Sequence, residues 1–196
     1  MKKIAGLMLL IILLFFNSEQ FLAYNTLNDH VINGGVGDYG YTNRYYFITS
    51  SAAGYASEIK SAMNDWIYTT QRLGITTPIS YKQTTSQKSS VMDIYACYSS
   101  NYPYCNANAW TEFWRYQNGV SPFYQNWGWN KIYLNSYNMN NKTSILKKGV
   151  IAHEMGHCFG LNENNTNPFS IMCQSGYGRR VTAAQADDLY GINYLY

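Results

Sequence analysis

Residues 153–163 read HEMGHCFGLNE, and no other stretch limits what this chain can fold into so tightly. Two histidines stand four positions apart, a glutamate follows the first, and a glycine comes three after the second. Four residues of α-helix advance about 400°, so His153 and His157 project from nearly one side, about 6 Å apart along the axis. Two imidazoles so placed can share one zinc ion at roughly 2.0–2.1 Å each. Glu154 lies beside them and can take a proton from water on the metal. The pattern points to metal-assisted hydrolysis, most often of a peptide bond.

The flanking sequence supplies the helix. From Ser144 the chain reads SILKKGVIAHEMGHCFG, and Leu146, Val150, His153, Glu154, His157 and Leu161 recur at helical spacing. Thr143 or Ser144 is the expected N-cap. Gly160 is the expected stop, because glycine turns the chain in the left-handed region without steric cost.

The N-terminus sets the compartment. Residues 1–16, MKKIAGLMLLIILLFF, place two lysines before an apolar run from Ile4 to Phe16. That run is short for a membrane span and suits a signal-peptide core. Residues 1–23 are read as a signal peptide, cleaved after Ser18 or after Ala23, and residues 24–196 as the exported domain. A secreted, extracellular monomer with no stable membrane anchor is expected. The net charge of +3 is scattered, with no basic stripe interleaved with aromatics, so no nucleic-acid partner is expected.

The rest of the chain alternates strand and helix patterns. Residues 24–42 are rich in Gly and Asn and read as irregular. Strands are expected over Arg44 to Ser50, Ile79 to Gln83, Val91 to Tyr98 and Lys131 to Tyr137, with an exposed strand over Ala109 to Tyr116. Ala53 to Leu73 reads as one amphipathic helix, with Ile59, Met63, Trp66 and Ile67 on a face and Gly74 as its stop. A last helix is expected over residues 182–194, capped by Thr182. The 20 tyrosines and the tryptophans at 110, 114, 127 and 129 suit core packing, and equally a surface that stacks on sugar rings.

With these residues in view, the chain resembles the metzincin metalloproteases, whose motif is H-E-x-x-H-x-x-G-x-x-H followed by a methionine turn. His153, Glu154, His157 and Gly160 match it, and Ser170-Ile171-Met172 looks like the methionine turn. DDLYGINYLY from Asp187 is similar to the last helix of the matrixin branch, and AMNDWIY around Trp66 to its first. The resemblance implies an α+β fold: a twisted mixed sheet of roughly five strands with three main helices, an active-site helix and a methionine turn. It implies His153 and His157 as zinc ligands and Glu154 as general base. The third-ligand position holds Glu163, where the family usually has histidine. A carboxylate is sound chemistry there, since catalytic zinc accepts a two-histidine, one-carboxylate set.

The resemblance carries further expectations. Met172 packs beneath the metal. Ala109 to Trp114 forms the upper rim of the substrate cleft, and residues 173–181 wall the main specificity pocket. Tyr177 is a candidate donor to the oxyanion. One of Asp187 and Asp188 is buried against backbone N–H groups near Met172. Four cysteines in an exported chain suggest disulfides, with three pairings open. Cys97–Cys105 closes a short loop, worth roughly 2.5 kcal/mol in the chain-entropy model. Cys158–Cys173 would tie the active-site helix to the methionine turn.

The expected function is thus a secreted zinc metalloendopeptidase acting on peptides or proteins, including those of cell-wall crosslinks. The alternative is a zinc-stabilised cell-wall or glycan-binding protein with little or no hydrolysis.

Overall fold

A computed structural model describes residues 24–196 apart from residues 102 and 105. The signal-peptide reading of residues 1–23 lies outside the described residues, as does the Cys105 half of the Cys97–Cys105 pairing. Among the described residues no helix is long and apolar enough to cross a membrane.

Among the described residues, six strands and five α-helices follow in chain order. Strand β1 (Arg44–Ile48) leads through a 3-10 turn (Ser50–Tyr55) into α1 (Ala56–Ile67) and α2 (Thr69–Leu73). Strands β2 (Tyr81–Thr84), β3 (Met92–Cys97), β4 (Ala109–Arg115), β5 (Asn118–Val120) and β6 (Trp129–Asn135) come next. Helices α3 (Ser136–Met139), α4 (Ser144–Cys158) and α5 (Ala186–Leu195) complete the chain. The strands form one mixed sheet in the order β2-β1-β3-β6-β4-β5. β2, β1, β3 and β6 run parallel, and β4 and β5 are antiparallel to their neighbours.

Period-two alternation divides the sheet into two unlike faces. Met92, Ile94, Ile132 and Leu134 are fully buried on the inner face. Helix α1 buries Ile59, Ala62, Met63 and Trp66. Their i, i+3, i+4, i+7 spacing makes one apolar stripe. Trp66 packs edge-on against Phe159 and donates its indole N–H to Ala152 O at 3.0 Å, tying α1 to α4. The opposite face carries a series of stacked rings, Tyr104 on Trp110, Trp110 on Tyr133 and Tyr133 on Tyr95.

The structure corrects several expected elements. The helix expected over Ala53 to Leu73 is divided, because Tyr68 leaves helical geometry at φ −91°, ψ 44° and turns Thr69 into the interior. Gly74 ends the second piece in the left-handed region, as expected. A sixth strand, β5, was missed, since Asn-Gly-Val lacks a strand pattern. It forms because Tyr116, at φ 56°, reverses the chain after Arg115. Pairing with β6 and β5 leaves β4 half-buried rather than exposed. The cap of α5 is Gln185, not Thr182: the Gln185 N–H donates to Asp188 Oδ2 at 2.7 Å in a capping box.

Candidate metal centre

Helix α4 supplies two of the three groups that converge. Its N-cap is Thr143. Residues 149–156 are all buried, so this part of the helix lies in the interior, with His157 half-buried just beyond it. The helix ends in a Schellman motif: Leu161 N–H bonds Gly156 O at 3.0 Å, and Gly160 N–H bonds His157 O at 2.9 Å. Gly160 sits at φ 100°, and a Cβ there would meet Leu195 at 2.8 Å. Only glycine makes this bend without strain.

The bend returns the chain to the histidines. His153 Nε2 and His157 Nε2 lie 3.5 and 3.4 Å from Glu163 Oε1. One ligand atom from each of the three residues falls within 4.8 Å of the others, a grouping that can hold a metal ion. Each imidazole is fixed from behind. His153 Nδ1 bonds Ile171 O at 2.8 Å, and His157 Nδ1 bonds Leu161 O at 2.9 Å. With Nδ1–H donating to carbonyls, each Nε2 faces inward, where it can carry a proton toward Glu163 or, once that proton is lost, offer its lone pair to a metal.

Glu163 shows why a cation fits here. Its Oε2 is buried with no hydrogen-bond partner. Burial alone would push its carboxyl up, but the two imidazoles outweigh burial and hold it at about 2. Burial lowers His157, and the Glu163 hydrogen bond with the Glu154 and Glu163 charges more than offsets it, so its proton affinity is raised. Two imidazole nitrogens and an anionic oxygen around one point suit a divalent ion.

Glu154 is buried beside this cluster, and its Oε2 accepts a hydrogen bond from Thr111 Oγ1 at 2.8 Å. The Thr111 hydroxyl comes from β4, 43 positions away. Sequence reading missed it, since one threonine in a strand carries no signal. Asn25 was missed for the same reason. Its side chain donates to Glu163 O at 2.7 Å, while Asn162 N–H donates to Asn25 O at 2.8 Å. The segment read as irregular thus pins the ligand loop.

Beneath the cluster, the turn at Met172 is built on Asp188. Its carboxylate accepts from Ser170 Oγ, from Ile171 N–H at 3.0 Å and from Gln185 N–H at 2.7 Å. This is the buried aspartate expected of the pair. Asp187 bonds the Asn167 amide instead. Burial pushes the Asp188 carboxyl up, and its donors only partly offset that. Met172 lies against Gly156 on α4, where a Cβ would collide with its sulfur.

Other expected features fall elsewhere. Cys158 and Cys173 are free thiols, so the expected bridge is not formed. Cys158 is buried in the core, and Cys173 Sγ sits at the Gln174 and Tyr177 carbonyls. Tyr177 is largely exposed on a 3-10 turn (Ser175–Tyr177), bordering a small cavity with His153 and Glu154. The tryptophans do not make one open platform. Trp127 is in the core, Trp110 is stacked between Tyr104 and Tyr133, and Trp114 stacks on Trp129 with Lys131 over both rings.

His153, His157, Glu163 and Glu154 line a cleft of about 880 Å³, whose other walls include Leu27, Trp110, Phe113 and Phe123. Ala109 to Glu112 run along it with a strand partner on one side only, because β5 pairs with Phe113 to Arg115.

No protein-family model matches the chain, and no curated protein matches it in sequence. In three dimensions it is similar to a chain of the ECX AB5 holotoxin in its GM1-bound form. That likeness has 15% identity and a TM-score of 0.52, covering 88% of this chain and 90% of the other. A weaker likeness, with 9% identity and a TM-score of 0.42, relates 71% of this chain to 57% of myroilysin. The first likeness is one of fold.

Proposed function

We propose that the chain is an exported zinc-dependent endopeptidase, with His153, His157 and Glu163 holding the metal and Glu154 as general base. One observation carries this reading. A buried carboxylate, aimed by Thr111, stands beside two back-braced imidazoles and an anionic oxygen at the floor of an open cleft.

Zinc in this donor set would lower the pKa of its water toward ~7 and polarise the scissile carbonyl. The residues do the rest. Thr111 occupies Oε2 of Glu154, which leaves Oε1 to take the proton of the attacking water and return it to the leaving amine. Tyr177 borders the same region as a donor to the developing oxyanion. The unpaired side of Ala109 to Glu112 offers backbone groups to a substrate in extended form, added as one more strand. Such recognition suits a peptide chain. Residues 1–23 would direct export.

Metal-loaded Glu154→Gln is expected to lose at least ~10²-fold of peptide hydrolysis while keeping its metal. A digest of a peptide library by both proteins, with zinc measured in each, checks this. Unchanged turnover would exclude Glu154 as the base.

A further inference from the structure

The cleft is not the only cavity that reaches Glu154. A second, of about 260 Å³, shares Ala109, His153, Glu154 and Gln174 with the first and then diverges. The two differ in character. The larger has apolar walls at Leu27, Phe113, Val120 and Phe123, whereas the smaller is lined in part by Arg179.

Local backbone puts Arg179 there. Gly178 takes φ 87° after the 3-10 turn, so Arg179 lies half-buried between exposed neighbours. Its two terminal nitrogens donate to Ile171 O and Ser175 Oγ, both at 3.2 Å. A guanidinium has five N–H donors. Among the described residues, none of the ion pairs formed involves Arg179. Nearby carboxylates are engaged elsewhere: Glu154 by Thr111, Glu163 by the histidines, Asp188 by Ser170. Burial works against the charged guanidinium. The charges of Glu154, Glu163 and Asp188 favour the guanidinium from a distance, yet none of them pairs with it, which leaves a half-buried cation with spare donors in a side-chain-sized cavity beside Glu154.

We infer that Arg179 makes this cavity selective for an acidic side chain, so that the preferred substrate carries Glu or Asp next to the scissile bond. This rests on the peptidase reading above. A planar guanidinium matches a carboxylate better than any other side chain does. The cleaved sequence then pairs an apolar residue on one side of Glu154 with an acidic residue on the other. The opposing role for Arg179 is a brace, since Ile171 O also accepts from His153.

The test uses the zinc-loaded full chain and three peptides identical except for Glu, Gln or Lys at the position beside the cleaved bond. The Glu peptide is expected to exceed the Gln peptide by about tenfold or more in kcat/KM, as charged hydrogen bonds warrant. Arg179→Gln should remove that preference by raising KM for the Glu peptide far more than for the Gln peptide, with the zinc content retained. Arg179→Glu should turn the preference toward Lys. Equal loss on all peptides with falling zinc content would show a brace and overturn the inference, as would a Glu preference that survives Arg179→Gln. If wild type cleaves no peptide, the peptidase reading fails by itself. Binding of the same peptides to Glu154→Gln by calorimetry then decides the inference. A Glu-over-Gln preference that disappears with Arg179→Gln supports it, and equal binding overturns it.

Discussion

The candidate metal centre has two halves built in different ways. The helix half, His153 and His157, is set by i, i+4 spacing on one α-helix. The loop half, Glu163 above the Met172 turn, is set by residues from across the chain. Asn25 holds the Glu163 carbonyl, Asp188 holds the backbone under His153, and Leu195 packs on the Gly160 bend. A local half needs only its helix to form. A long-range half forms only when both ends of the chain are already in place. Changes remote from the metal should therefore act through Glu163, and changes on α4 should act on the ligands directly.

His157→Ala should have the largest effect. Structural zinc binding is worth about 10–16 kcal/mol shared among its ligands, so loss of one should cost roughly 10²-fold or more in affinity. Titration against a competing chelator checks this, and circular dichroism should show α4 intact. Near-normal affinity would mean that the helix half is not the anchor of the site.

Asp188→Ala comes next. It leaves Ser170 O–H and the Ile171 and Gln185 N–H groups without their acceptor, at about 3 kcal/mol in all. For a chain of this size that is a fall in Tm of roughly 6–12 °C. Calorimetry should show that fall together with weaker zinc binding. A fall in Tm with zinc affinity unchanged would uncouple the Met172 turn from the site.

Acid should unmake the loop half of the metal-free protein. Glu163 sits at about 2 in the fold against a usual 4.5, so the folded state binds fewer protons than the unfolded chain between those values. Its contribution is present above about 4.5 and is lost as pH falls toward about 2. Urea midpoints of chelator-treated protein should therefore fall more steeply with acid for wild type than for Glu163→Gln. Parallel curves would remove the ionic contact between Glu163 and the histidines from the account.

Asn25→Ala should have the smallest effect, about 1 kcal/mol from one hydrogen bond. Its zinc affinity should fall by no more than ~10-fold, as for other groups behind a ligand. A larger loss would mean that the N-terminal segment sets the ligand loop by more than this contact.

The same division governs what was legible in the sequence. The α4 helix, its Gly160 stop and the His153, Glu154, His157 set were readable because each depends on spacing within a few residues. The parallel strands were readable from their β-branched and aromatic runs, with ends shifted by one or two residues. The split at Tyr68 and the strand β5 were not, because burial of Thr69 and pairing with β4 decide them. The buried aspartate and Glu163 were reached through a family pattern, not through local physics. Thr111 and Asn25 left no trace, because a hydrogen bond spanning 43 or 138 positions has no sequence signature. The Cys158–Cys173 bridge was inferred from the expected placement of the Met172 turn under α4, and an expected nearness of two elements does not by itself join their thiols.

The most direct test of this two-part centre is a crystal structure of the zinc-loaded protein with anomalous diffraction at the zinc edge. The account predicts one zinc peak, bonded to Nε2 of His153, Nε2 of His157 and a carboxylate oxygen of Glu163, with Glu154 on Thr111 and off the metal. A zinc held by the two histidines with Glu163 turned away, or one bonded to Glu154, would contradict it.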